Sequence, residues 1–269
     1  MNNQHSMPKK IPVALTIAGS DSGGGAGIQT DLKTFAAYSV FGTSTITCVT
    51  AQNPDGVSGV EAISPEMVKQ QIKAVAGGFP IAATKTGMLY SAEIVSVVAQ
   101  SVKKYSLGKL VVDPVMIATS GGKLLCDDAV AALCSELLAL ADVVTPNLPE
   151  AEVLCGHEIC TKDDLIASAK EIGEKFGVAC IAKGGHLDIG SDEVFDVLYV
   201  DGESTVIASP LINAKETHGT GCTFAAAVAA QLALGNELSI AFENAKSFVA
   251  NALANALQAG EHYPLKIKK

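Results

Sequence analysis

The chain has 269 residues, a formal charge of −9 and 48% hydrophobic residues, enough for one large α/β domain with a sizeable core. There is no dense Lys/Arg run apart from the terminal KIKK, which excludes an electrostatic footprint for nucleic acid. No apolar run reaches the about 18 residues that cross a bilayer, and no signal-peptide core follows MNNQHSMPKK, so a cytoplasmic protein without a membrane partner is expected.

In chain order, short β-type runs alternate with longer helical patterns. IPVALTI leads to IQTDLKTFAAYS, and TSTITCVTA leads to SPEMVKQQIKAVA, where Ser64 reads as N-cap and Pro65 as first helical residue. AATKTGM precedes AEIVSVVAQSVKKY, KLVVDPV precedes DDAVAALCSELLAL, and DVVTPN precedes a helical PEAEVL and then KDDLIASAKEIGEKFG. VACIAKGG is the next strand. EVFDVLYVDGESTVIAS breaks the rhythm, because two alternating runs flank Asp-Gly, the signal of a tight hairpin. Two Ala-rich helices, GCTFAAAVAAQLALG and LSIAFENAKSFVANALANALQ, close the chain. Serial βα units with apolar strands predict one mainly parallel sheet with helices on both faces and a β-hairpin near its edge. Nothing splits the chain, so a flexible segment 1–10 followed by a single domain over 11–269 is expected.

In such sheets ligands gather beyond the carboxyl ends of the strands. The glycine-rich stretch AGSDSGGGAG, 18–27, follows the first strand, yet lacks the Gly-Lys-Ser/Thr of a Walker A loop. A dinucleotide fingerprint read from Gly23 would need its third glycine at Ile28. A connection chosen for dihedral freedom and a close backbone approach to a small ligand both remain open. HGTGCTFAAAV, 218–228, stands directly before a long helix, and the N–H groups of Gly219, Thr220, Gly221 and Cys222 would converge at its positive end, suited to phosphate. A glycine turn capped by Thr220 is the competing reading. The helix field is expected to lower the Cys222 thiol from about 8.5, unless this residue is simply a small buried hydrophobe.

Asp113 in VVDPVM and Glu150 in VVTPNLPE end strands and are hard oxygen donors of the kind that hold Mg²⁺ through waters, although Asn147 and Glu150 are also spaced as a capping box. Lys183 in IAKGGH could neutralise phosphate oxygens, with an ordinary surface lysine as the alternative. His186 and His218 border glycine motifs in supporting positions at most. Seven cysteines (48, 126, 134, 155, 160, 180 and 222) without a C-x-x-C pair argue against a disulfide framework or zinc site. An anion-binding helix start, a lysine and two acids describe phosphoryl transfer without a Walker loop.

Together AGSDSGGGAGIQTDLKTF, TAQNPDGV, KTGML, VVDPVM, TPNLPEAEVL, AKGGH and HGTGCTFAAAVAA resemble the hydroxymethylpyrimidine/phosphomethylpyrimidine kinases of thiamin biosynthesis, in the ribokinase-like superfamily and its pyridoxal kinase branch. The resemblance implies a three-layer α-β-α fold and the use of ATP and Mg²⁺ to phosphorylate 4-amino-5-hydroxymethyl-2-methylpyrimidine and then its monophosphate. It also implies a homodimer. On this resemblance Gly19, Ala26, Asp31, Gln52, Met88 and Val115 surround the pyrimidine, and Gln52 offers both donor and acceptor to its edge. Gly219, Thr220, Gly221 and Cys222 form the anion hole, Asp113 and Glu150 are the Mg²⁺-linked acids, and Lys183 and Asn147 lie at the nucleotide. Whether Cys222 is general base or positions the hydroxyl stays open. MIATSGGKLL corresponds to a flap over the substrate. A pyridoxal kinase or bifunctional enzyme is the nearest rival, and a non-catalytic pyrimidine-binding protein a distant one.

Overall fold

Nine strands form one sheet in the order β3-β2-β1-β4-β5-β6-β7-β8-β9 in the computed structural model, which describes residues 10–117, 124–185, 187 and 192–268. Residues 1–9 of the expected flexible segment, 118–123 of the expected flap and His186 lie outside the described residues. The parallel centre consists of β1 (Val13–Asp21), β2 (Phe41–Asn53), β4 (Ile81–Thr86), β5 (Lys109–Val112), β6 (Val143–Val144) and β7 (Ala179–Lys183). Antiparallel strands finish both edges: β3 (Gly56–Ala62) beside β2, and β8 (Glu193–Val200) with β9 (Glu203–Pro210) beyond β7.

The β8–β9 hairpin turns through Asp201 and Gly202 at φ +52° and +86°, as the Asp-Gly signal requires. The β2–β3 hairpin is an addition to the sequence reading, which assigned no strand between TSTITCVTA and SPEMVKQQIKAVA. All of β3 is exposed, so it carries no inward-facing apolar alternation that would have marked it as a strand.

Period-two alternation sends neighbouring strand residues to opposite faces. Leu15, Ile17, Leu110, Val112, Val144, Cys180 and Ala182 join one core with α2 (Pro65–Gly78), α3 (Ala92–Lys104), α4 (Asp127–Ala132), α5 (Leu148–Cys155) and α6 (Lys162–Phe176). Ala14, Ala83, Val111, Val143 and Ile181 join the other with α1 (Gly27–Ala37), α7 (Thr220–Ala233) and α8 (Leu238–Ala254). The ends of the first set of helices are sequence-determined: the Ser64 side chain accepts from the Met67 N–H ahead of Pro65, and Thr161 with Asp164 closes a capping box at α6. After α4 the chain passes through a π turn and a 3-10 turn to Leu140, a tighter and looser continuation of the single helix expected there.

The second helical layer is decisive for the site. Ala225, Ala226, Ala227, Ala229 and Ala230 of α7 are fully buried. A helix with methyl groups on all sides can lie close to the sheet while α1 and α8 cover it, and burial on every side is what its unbroken apolar sequence requires. Its N-terminus is thereby carried to the carboxyl end of the parallel strands.

Candidate active site

The first glycine loop is organised by Asp21, the last residue of β1. Its carboxylate accepts the N–H groups of Gly23 at 2.8 Å, Gly25 at 3.1 Å and Ala26 at 2.8 Å, and it lies 3.2 Å from His218 Nε2. Burial opposes its charge, but the His218 bond and the Ala26 and Gly23 N–H groups together hold it below the usual carboxylate value. Sequence reasoning passed over Asp21, although a strand-end Asp followed by Ser-Gly-Gly-Gly is a signal for a side chain that caps its own loop.

The two glycine loops, about two hundred residues apart, pack against each other. Gly219, the N-cap of α7, sits at φ +84°, and a Cβ there would overlap the Gly25 carbonyl oxygen. A Cβ on Gly25 would come within 2.7 Å of the His218 ring. Thr220 is not the cap: its hydroxyl and its N–H both bond the Thr217 carbonyl. The N–H groups of Gly221 and Cys222 have no acceptor among the described residues, which leaves two donors on the helix axis.

Lys183 Nζ stands 3.5 Å from where a Gly221 Cβ would be, and 3.0 Å from Asp113 Oδ1. Burial works against its charge, yet Asp113 and then Glu150 overcome this and raise the ammonium above its ordinary value. It is no ordinary surface lysine, since only 13% of its side chain is exposed. Gly184 behind it passes so close to β8 that a Cβ would overlap the Phe195 carbonyl oxygen, and its N–H donates to Asp196 at 2.9 Å.

Of the two readings of Glu150, the capping box is the one observed. This residue closes the box with Asn147, whose side chain accepts the Glu150 N–H at 2.9 Å, and Glu150 returns Oε2 to the Asn147 N–H. Glu150 Oε1 also accepts the Met116 N–H at 3.0 Å. Burial pushes its carboxyl up to about 7, against the pull of Lys183. Asp113 accepts from Lys183 and Thr145 through Oδ1, and Oδ2 has no hydrogen bond among the described residues.

Two expectations are corrected. Cys222 is held in the first turn of α7, but its thiol is pushed up to about 11, not lowered: burial is the largest influence, and Lys85 with the Gly27 N–H only partly offsets it. Asp31 presents no oxygen to a ligand. It is fully buried, and both carboxylate oxygens lie 3.0 Å from Lys85 Nζ while Thr16 Oγ1 donates to one at 2.6 Å.

Lys85 itself, entirely buried, is the largest omission of the sequence reading, which quoted it within KTGML without assigning it a task. A lysine near the end of an apolar strand must be paired, and that was the available signal. Burial opposes its charge, but Asp31 foremost and then Cys222 and Asp113 raise it well above its ordinary value. Gly87 must lack a side chain, because a Cβ would meet Lys85 Nζ and Ala18 Cβ at 2.9 Å each.

Gly19 interrupts the β1–β2 register between Ala18 and Ser20, and a Cβ there would meet Cys48 Sγ at 2.8 Å and Met88 Cε at 3.2 Å. A second irregularity falls at Gln52, whose amide accepts from Thr50 Oγ1 at 3.1 Å and lies 3.4 Å from His218 Nε2. Val115 takes φ +45°, a strained value for a β-branched residue, directly before the Met116 N–H that Glu150 holds. A cleft of about 500 Å³ runs past Ser22, Gln52 and the β2–β3 hairpin. A larger cavity, about 780 Å³, opens at the opposite end of the strands between Asp142, Tyr199 and Leu238 and includes no predicted site residue.

A mostly parallel sheet between two helical layers, with a helix start, a lysine and two acids gathered beyond its strands and no Walker loop, defines the ribokinase-like class of small-molecule kinases. The family model for phosphomethylpyrimidine kinase matches residues 21–266, and the chain belongs to that family. It is 47% identical over 247 residues to the hydroxymethylpyrimidine/phosphomethylpyrimidine kinase of Bacillus subtilis (strain 168), covering 92% of this chain and 91% of the relative. Among solved structures it is similar to the phosphomethylpyrimidine kinase of Clostridium difficile 630, with TM-score 0.80, 42% identity and coverage of 90% and 99%. It is also similar to an ADP complex of Bacillus subtilis pyridoxal kinase, with TM-score 0.86, 38% identity and coverage of 96% and 97%.

Proposed function

We propose that the chain, acting as one kinase domain over 11–269, transfers the γ-phosphoryl group of ATP to the hydroxymethyl oxygen of 4-amino-5-hydroxymethyl-2-methylpyrimidine, and then phosphorylates the monophosphate to the diphosphate. The observation that carries this reading is the pair of free N–H donors at Gly221 and Cys222 beside Lys183, an anion site built at the strand ends. Its relatives named as kinases for both steps supply the substrate class.

The α7 start and Lys183 face the phosphoryl group in transit, where fixed donors are worth most because charge is spread over its oxygens. The hydroxymethyl oxygen attacks phosphorus, the bond to the bridging oxygen of ADP breaks, and the hydroxyl proton passes late to an oxygen of the transferred phosphoryl group and from there to solvent, since a loose transition state needs little prior deprotonation. A thiol pushed up to about 11 is protonated at neutral pH, which favours Cys222 as the group that positions the hydroxyl rather than a standing base. Lys85 and Asp31 hold a fixed pair of charges beneath it. Mg²⁺ suits the donor set: Asp113 Oδ2 is uncommitted among the described residues, and each Glu150 oxygen retains a second lone pair. Bound there through water, the ion would neutralise phosphate charge. Asn147 then serves the nucleotide indirectly, by fixing Glu150.

Gly19, Ala26, Met88 and Val115 form the walls of the ring pocket in this reading, and Gln52 meets the aminopyrimidine edge. The Gln52 amide, set by Thr50 and His218, favours this ring over pyridoxal, which would leave that amide without a matching edge. A cytoplasmic homodimer is proposed with it: exposed Val57 and Val60 share one face of the β2–β3 hairpin and offer a second copy an apolar patch. The test is product analysis with ATP, Mg²⁺ and either hydroxymethylpyrimidine or pyridoxal. The diphosphate should form, with a larger kcat/KM for the pyrimidine; a larger value for pyridoxal, or monophosphate as the sole final product, would overturn the assignment.

A further inference from the structure

At the far end of α5 from Glu150, three side chains of ligating type come together. Cys155 is the last residue of α5, Gly156 turns the chain back at φ +83°, His157 follows, and Glu171 faces them from α6. The Cys155 Sγ, a His157 ring nitrogen and a Glu171 carboxylate oxygen all lie within 4.8 Å of one another, and His157 Nε2 is 3.1 Å from Glu171 Oε2. The other ring nitrogen, Nδ1, lies 3.2 Å from the Glu158 carbonyl. An Nδ1–H donated to that carbonyl leaves Nε2 as the nitrogen turned toward the carboxylate, which is the way metal-ligating histidines are oriented.

We propose that Cys155, His157 and Glu171 form a surface site for one zinc-class divalent ion, with water as the fourth ligand. Bond lengths of about 2.3 Å to sulfur and about 2.0–2.2 Å to nitrogen and oxygen place tetrahedral ligand atoms roughly 3.3–3.7 Å apart. The imidazole and carboxylate, 3.1 Å apart as a hydrogen-bonded pair, open by roughly 0.2–0.6 Å, and the thiol, within 4.8 Å of both, swings in by side-chain rotation that gives up its 3.8 Å contact with the Ser168 carbonyl. A thiolate, an imidazole and a carboxylate together select a borderline ion such as Zn²⁺ over Mg²⁺. Binding displaces the thiol proton and the proton shared by His157 and Glu171 to solvent. The ion fastens the Gly156 turn onto α6. The absence of a C-x-x-C pair, which argued against zinc in the sequence, does not bear on this site, because its third ligand comes from another helix.

The test uses the full chain in a C126S/C160S background, which removes the two cysteines that are exposed among the described residues. Titration with Co²⁺ should give one equivalent with a near-ultraviolet thiolate-to-cobalt charge-transfer band that Zn²⁺ abolishes by displacement. Cys155→Ser should lose the band, and His157→Ala should weaken Zn²⁺ binding at least about tenfold. Circular dichroism and kinase turnover of Cys155→Ser should match the parent, showing that the loss is local. No band in the parent, a band that persists in Cys155→Ser, or Zn²⁺ affinity unaffected by both changes would overturn the site.

Discussion

Cys222 carries a thiol pushed up to about 11 at the start of α7, and the proposed role is that of a neutral group positioning the substrate hydroxyl. Cys222→Ala should lower kcat at saturating pyrimidine by about 10²-fold, at the lower end of what a positioned proton-handling group contributes. Unimpaired turnover would remove Cys222 from the reaction. Glu150 is subject to a different conflict. Its carboxyl is raised from 4.5 to about 7 by burial, so the stability tied to its protonated form is fully present below about 4.5 and is lost as pH rises through about 7. Glu150→Gln keeps a cap-competent side chain and never ionises. Its melting temperature should therefore gain on the parent between pH 5 and 8, roughly the span of that titration, while kinase activity falls. A difference that stays flat across this range would show that Glu150 does not titrate there.

At the scale of elements, α1 and β4 are tied by the buried Lys85–Asp31 pair, which lies between the two glycine-led helix starts. Lys85→Met leaves a buried carboxylate without its counter-ion and should destabilise the fold by about 3–5 kcal/mol in urea unfolding. Replacing Asp31 as well, Lys85→Met/Asp31→Leu, should recover most of that loss, because the unpaired charge is what costs. A single variant within about 1 kcal/mol of the parent would contradict the pairing. The helix starts depend on neighbours in the same way. Gly219 tolerates no Cβ because the Gly25 carbonyl occupies that space, so the loop at 18–27 and the loop at 218–222 each require glycine in the other.

For the molecule as a whole, the site is assembled from both ends of the chain: Asp21 and Gln52 from the first fifth, Asp113, Glu150 and Lys183 from the middle, and His218 to Cys222 from the last fifth. A ligand bound to them together should stabilise the entire fold. A non-hydrolysable ATP analogue with pyrimidine and Mg²⁺, at one hundred times Kd, should add about 2.7 kcal/mol and raise the melting temperature accordingly. Equal melting temperatures with and without these ligands would contradict a site shared across the chain.

The sequence alone determined the architecture and its punctuation, because these rest on local signals: alternating βα units, Ser64 before Pro65, the Asn147–Glu150 capping box and the Asp-Gly hairpin all recur in the structure. It placed a helix start at HGTGC, the proposed phosphate site, because a glycine-led helix start is legible from residue types. It did not reveal β3, which lacks a buried alternating face, nor the tasks of Lys85 and Asp21, whose partners lie far along the chain or act through backbone. The tertiary structure alone decided the charge states. Whether a carboxyl or thiol is neutral depends on what burial removes and which ion stands beside it, as the raised Cys222 thiol and the Asp31 carboxylate closed off by Lys85 illustrate. Such neighbours are set by packing, and no local pattern encodes them.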